Sequence, residues 1–318
     1  MEWSHLAGAG CGRVHQCGSF WIYGRIPDRF RSEQSGRPET TTMKTQSDQE
    51  GEGSIFYVYG EFERTLLAEI RRETYGEDIG QFSWIVADEL RKFFHQLELN
   101  ADSHLLDVAC GSGGPALFTA HTTGCHVTGI DINQNGIRTG NQLAQARGLQ
   151  SRVKFEHADA SRPLPFPDAS FDAVVSIDAM NHLYNRAEVL EEWLRVLRPG
   201  GRFLFTDAVV VTGTLSRDEI LARSNSMGQF LFTPAGEHER IIRAAGFVAL
   251  QVEDVTDAIA FVSKRWHDAR DQHRDELLKT ETQVEFENLQ KMLAAAHALA
   301  AERRLSRFAY CARKPSST

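Results

Sequence analysis

The chain has 318 residues, of which 42% are hydrophobic and 25% charged, and its formal net charge is −8. That length supports a sizeable core in one large domain or two. The acidic balance excludes a chain built to grip nucleic acid or an anionic membrane, because phosphate binding rests on Lys and Arg. No apolar run is long enough to cross a bilayer, and the first residues lack the basic-then-apolar layout of a secretory signal. Five cysteines without a repeating spacing suggest neither a disulfide framework nor a zinc site, and no metal ligand set is predicted. Cys110 and Cys125 sit in apolar segments and read as core thiols. The expectation is a reduced, cytoplasmic protein.

Residues 1–50 are rich in Gly, Ser, Thr, Gln and Arg, with no sustained period, and are predicted to lie outside the folded domain. Met43 reads as an alternative start. A single domain is predicted over 51–318. Its first part, 55–100, reads as a helical cap, with one apolar stripe at Phe62, Leu66, Leu67 and Ile70. A second stripe runs through Ile85, Val86, Leu90, Phe93, Phe94 and Leu97. Between them, 75–84 is a polar and aromatic segment, either a cover for a ligand or a plain helix connection.

Strands and helices then alternate. Strands are predicted at Leu105–Ala109, Val127–Asp131, Val153–His157, Phe171–Ile177 and Arg202–Thr206, and helices at Ala116–His121, Asn133–Arg147 and Arg186–Leu197. Apolar strands alternating with helices indicate an α/β fold, a mostly parallel sheet covered on both faces. Residues 104–256 would form this core. Helices are further expected at Asp218–Phe232 and Glu237–Ala245, and a strand at Phe247–Val255. The stretch 257–304 reads as a helical insertion with a stripe at Leu277, Val284, Leu289 and Leu293. Its Asp268, Arg270, Asp271, Arg274, Asp275 and Glu276 are expected on a solvated face. A closing strand, Arg307–Ala312, falls within 305–313.

The chemistry centres on His104–Pro115, H-L-L-D-V-A-C-G-S-G-G-P. A buried strand that turns through glycines into a helix brings bare N–H groups and a helix N-terminus to one point, where a nucleotide-like ligand can lie close. Gly111 to Ala116 satisfies the G-x-G-x-x-[GA] dinucleotide fingerprint, and it also fits the looser D-x-x-x-G-x-G loop that takes S-adenosylmethionine. Asp131, 20 residues past Gly111 at the end of the second strand, suits the ribose hydroxyls of either ligand. Asp107, inside the first strand, disfavours a pyrophosphate and favours a cationic sulfonium amino acid. Asp159-Ala160, after the third strand, places a carboxylate where an adenine amino group can be read. Leu197-Arg198-Pro199-Gly200-Gly201 stops a helix.

These residues resemble the class I S-adenosylmethionine-dependent methyltransferases. The matching positions are Leu105–Gly114, Gly129-Ile130-Asp131, His157–Ala160, Pro165–Asp172 and Leu197–Gly201. The resemblance implies a Rossmann-like seven-stranded sheet with S-adenosylmethionine as methyl donor. It places that donor against Asp107, Ala109, Gly111, Gly113, Asp131, Ile132, Asp159, Ala160 and Asp178, with Gln81 and Trp84 from the segment before the first strand. Ala109 departs from the glycine many members carry.

Within that superfamily the chain is similar to small-molecule enzymes, among them natural-product sugar O-methyltransferases and the sarcosine and tocopherol methyltransferases. Some sugar enzymes carry a histidine after the fourth strand and an aspartate ending the fifth. That implies catalytic roles for His182 and Asp207, with Asn181-His182 standing where those relatives have paired histidines. The expected reaction is O- or N-methylation of a small organic acceptor. An activated sulfonium methyl mainly needs an in-line nucleophile, and a hydroxyl gains from a histidine base. The alternatives are an NAD(P)-dependent oxidoreductase, and a C-, protein or nucleic-acid methyltransferase of the same fold. The expected assembly is a monomer or homodimer. The 257–304 insertion, with Phe261, Trp266 and residues 228–232, is expected to form a lid with apolar walls.

Overall fold

The computed structural model describes residues 65–224 and 233–316. The chain divides at Met43/Lys44, and every described residue belongs to the second unit. The expectations for residues 1–50, for Phe62 and for the apolar segment 228–232 lie outside the described residues.

Among the described residues, two helices precede the sheet, α1 (Thr65–Tyr75) and α2 (Ala87–Gln96). The core then runs β1 (His104–Val108), α3 (Gly114–Thr123), β2 (His126–Asp131), α4 (Gln134–Ala146), β3 (Val153–His157) and β4 (Phe171–Ile177). A 3-10 turn at Met180–His182 leads to α5 (Arg186–Val196) and β5 (Leu197–Val211). After these come α6 (Arg217–Ser224), α7 (Glu237–Ala244), β6 (Val248–Asp254), α8 (Thr256–Gln272), α9 (Arg274–Leu277), α10 (Gln283–Ala301) and β7 (Leu305–Arg313).

The seven strands form one sheet in the order β3-β2-β1-β4-β5-β7-β6. β3 through β5 are parallel, and β7 is antiparallel to both β5 and β6. The order reverses beside β1, so β1 and β4 part at their carboxyl ends and leave a crevice of the kind where ligands bind in open α/β sheets. One face buries Leu105, Val127, Phe155 and Val175 against α2, α3 and α4. The other buries Leu106, Val108, Val174, Phe203 and Phe205 under Trp193 and Ile242. These alternate positions along each strand are the two faces that the unbroken apolar runs foretell.

Three differences from the sequence reading have local causes. β5 begins at Leu197, directly after α5, because Leu197 pairs with Phe171 across an irregularity that absorbs Pro199 and Gly200. It also runs on to Val211, where β7 continues the ladder. In the insertion, Leu277 and Leu293 are buried but Val284 is 66% exposed; Phe286, Met292 and Leu299 fill the core instead. Arg270 does not sit on a solvated face. It is buried beside Trp266, its guanidinium pairs with Glu281 at 2.6 Å and lies over the Phe286 ring. Of the helix expected over Asp218–Phe232, α6 covers the described part.

Candidate active site

β1 carries buried Leu105, Leu106 and Val108 to the sheet's carboxyl edge and stops in a turn with successive left-handed residues: Ala109 (φ 60°), Gly111 (φ 58°) and Gly113 (φ 80°). Glycine adopts this region freely, whereas Ala109 does so under strain. The turn is gripped on both sides. A Cβ on Gly113 would run into the Phe155 ring of β3, and one on Gly114 would run into the Gly80 carbonyl of the segment between α1 and α2. Asp131, ending β2, ties the turn down: its Oδ2 accepts from Gly111 N–H at 2.9 Å and its Oδ1 from Asn133 N–H at 2.7 Å.

A partly open cavity lies beside this turn. Asp107, Ala109, Gly111 and Ile177 line it from the sheet ends, and Phe82 and Ser83 from the covering segment. Asp107 is 4% exposed, and its carboxylate makes no hydrogen bond or ion pair among the described residues. Burial, and then the Asp131 charge, push its pKa up to about 8. Burial also raises Asp131, against the pull of its N–H donors, and pushes the neighbouring Cys110 thiol well up. Two neighbouring acids in a cleft, neither ion-paired to a basic side chain among the described residues, form a site that attracts a cation. A sulfonium amino acid with a ribose supplies the positive charge for Asp107 and hydroxyl donors for Asp131. A pyrophosphate would add negative charge to the same point.

The other expected cofactor residues are distributed around this centre. Ile132 is 57% exposed beside the crevice, with His157 Nε2 at 3.0 Å from its carbonyl oxygen. Asp159 and Ala160 lie half-buried after β3, and the Asp159 carboxylate accepts from Ser161 N–H and the Ser161 hydroxyl. Gln81 does not line the cavity: its fully buried amide accepts from Ile79 N–H and donates to the Glu77 carbonyl, so it shapes the covering turn. The half-buried Trp84 packs edge-on against Trp266 of α8, as does Phe82. Phe261, by contrast, is 48% exposed, lies under the Arg265 guanidinium and does not line this cavity.

Asp178 stands at the end of β4 with φ 54°, and both of its oxygens are engaged. Oδ1 accepts from Arg307 Nε at 2.7 Å and the Thr206 hydroxyl at 2.8 Å, while Oδ2 accepts from Trp84 N–H at 3.0 Å. His182 is exposed on the 3-10 turn. Asp207 is 1% exposed at the end of the β5–β4 pairing and does not hold His182. Its partners are Asn181 Nδ2 and His238 Nε2, each at 2.9 Å. Arg307, Glu89 and His238 escaped the sequence reading. Arg307 had a signal, a cation opening the apolar run Phe308–Ala312. Glu89 and His238 look like ordinary helix-surface residues.

Residues 106–205 match the family described as a methyltransferase domain. The 27-O-demethylrifamycin SV methyltransferase of Amycolatopsis mediterranei is 32% identical over 221 residues, 69% of this chain and 80% of the relative. Methyltransferase GfsG of Streptomyces halstedii is 36% identical over 172 residues, 52% of this chain but only 60% of that protein. Among solved structures, phosphoethanolamine N-methyltransferase 2 of Haemonchus contortus, in complex with phosphomonomethylethanolamine and S-adenosylhomocysteine, shares the fold. It aligns with a TM-score of 0.67 at 22% identity, over 82% of this chain and 60% of the other. The unpartnered acid, the glycine turn and these likenesses converge: the chain belongs to the class I S-adenosylmethionine-dependent methyltransferases that act on small molecules.

Proposed function

We propose that this enzyme methylates a hydroxyl oxygen of a small organic acceptor, with S-adenosylmethionine held beside Asp107. The observation that carries the reading is the Asp107 carboxylate, buried in the cavity wall without a protein donor. S-adenosylmethionine supplies an activated methyl group; the chain's own residues bind, orient and exclude water. Asp107 would take the positive end of the amino acid and Asp131 the ribose. Gly111 and Ala109 let the ligand approach the main chain, and Asp159 would read the adenine edge. The choice of oxygen is supported by the rifamycin relative, an O-methyltransferase by name, and by His182 at the open end of β4. An exposed imidazole there can take the hydroxyl proton as the oxygen attacks. Asp207 would act on the acceptor side only through Asn181, which it holds.

The test is transfer of isotope-labelled methyl from S-adenosylmethionine to paired hydroxyl and amine acceptors, read by mass spectrometry. Label on oxygen is expected. Label only on nitrogen or carbon would overturn the choice of atom, and no binding of S-adenosylhomocysteine in calorimetry would overturn the cofactor site. His182→Ala should lower kcat by about 100-fold or more, the scale of general-base assistance, while leaving S-adenosylhomocysteine affinity intact. Unchanged turnover would remove His182 as the base.

A further inference from the structure

The segment covering the cavity is fastened at several points. Gly80 N–H donates to Asp78 Oδ1, itself bonded to Arg71, and the Tyr75 hydroxyl donates to the Ser83 carbonyl at 2.8 Å. The Gly80 carbonyl lies against Gly114 at the start of α3. The last fastening is Trp84 N–H to Asp178 Oδ2, and Asp178 does not stand alone. The Arg307 guanidinium, fully buried, donates to Asp178 Oδ1, to Thr206 Oγ1 at 3.1 Å and to Glu89 Oε1 of α2 at 2.6 Å. One cation from β7 thus joins the end of β4, Thr206 within β5 and the helix that follows the cover. Glu89 is held above the usual carboxylate range by burial, against the pull of Arg307.

We infer that Arg307 is a positioning residue: it fixes Asp178 so that Asp178 clasps Trp84 N–H and holds the 80–84 cover against the cofactor cavity. The inference rests on the S-adenosylmethionine reading above. It gives Asp178 a role different from direct contact with the cofactor. The fully buried Arg307 guanidinium sits 2.7 Å from Asp178 Oδ1, pairs the carboxylate, and fixes its other oxygen on Trp84 N–H. A planar fork is needed to reach three acceptors at once, and a lysine ammonium does not span them in this arrangement.

The experiment pairs calorimetry with S-adenosylhomocysteine and peptide-level hydrogen exchange of the ligand-free full chain, for wild type, Arg307→Lys and Asp178→Gly. Glycine accepts φ 54° without strain and leaves Arg307 and Glu89 as a balanced pair, so Asp178→Gly tests the clasp without stranding a charge. In both variants the dissociation constant should rise about tenfold or more, and exchange across 79–86 should accelerate while β1 and β2 keep their protection. Unchanged affinity in Arg307→Lys, or weakened affinity with unchanged exchange over 79–86, overturns the inference; the second result would return Asp178 to direct cofactor contact. Uniformly faster exchange across the sheet also overturns it, as a general loss of stability. If the wild type fails to bind S-adenosylhomocysteine, the cofactor reading falls, and exchange over 79–86 still decides whether Arg307 holds the cover.

Discussion

Asp107 has two opposed effects. Buried without a donor, with its pKa pushed up to about 8, it keeps in the ligand-free native state a proton that the unfolded chain releases near pH 4. Between about pH 4 and 8 the native chain therefore binds more protons than the unfolded one. Its stability falls as pH rises through that window, by up to about 1.4 kcal/mol per unit from this group. Ligation works in the opposite direction, because a cation favours the ionised carboxylate. S-adenosylmethionine should bind more tightly as pH rises from about 6 toward about 8 and the Asp107 carboxylate ionises, with Cys110 remaining a neutral thiol. Titration calorimetry at pH 6, 7, 8 and 9 tests this, and a flat profile would refute it. Asp107→Asn should flatten both curves, raising the ligand-free melting temperature at pH 8 while weakening the cofactor. Asp107, Gly111 and Asp131 were legible in the sequence because strand, turn and spacing are local. Arg307 with Asp178 and Glu89 was not, since its partners stand 129 and 218 positions away.

At the level of elements, the glycine turn has a job besides admitting a ligand. Gly113, Gly129 and Gly140 all face the Phe155 ring, so the glycine turn, β2 and α4 close on one aromatic side chain. Gly114 has ordinary helical φ and is glycine only because the Gly80 carbonyl rests on it. Gly114→Ala should favour the helix by propensity and yet lever the cover off the turn. The expected outcome is an S-adenosylhomocysteine affinity at least tenfold weaker with a smaller change in melting temperature; equal affinity would show the contact to be slack. Strand and helix types were legible for β1 through β4 because apolar runs alternate with amphipathic stretches. The ends of β5 were not: its start is set by Leu197 pairing with Phe171 of β4, and its far end by the antiparallel neighbour β7. Of the predicted insertion stripe, Leu277, Leu289 and Leu293 pack into the core and Val284 does not, Phe286 taking the inward place on α10.

Across the whole molecule, the insertion α8–α10 and the cover meet in one apolar cluster, where Trp266 receives Phe82 edge-on at 4.8 Å and Trp84 at 6.5 Å. Phe82 also lines the cavity, so Trp266 of the insertion packs on a side chain of the cavity wall. Trp266→Ala should cost roughly 3–5 kcal/mol, the usual range for emptying a buried aromatic site. It should raise the acceptor KM more than it weakens S-adenosylhomocysteine. The reverse ranking would place the acceptor elsewhere. The late position of β7 has a consequence for synthesis. Its strand slots between β5 and β6, and Arg307 lies more than two hundred residues after Glu89. A nascent chain still short of β7 on the ribosome can stack β1 through β5 yet lacks the cation that latches the cover. On the Arg307 reading, the grip on the methyl donor should tighten once β7 has joined the sheet.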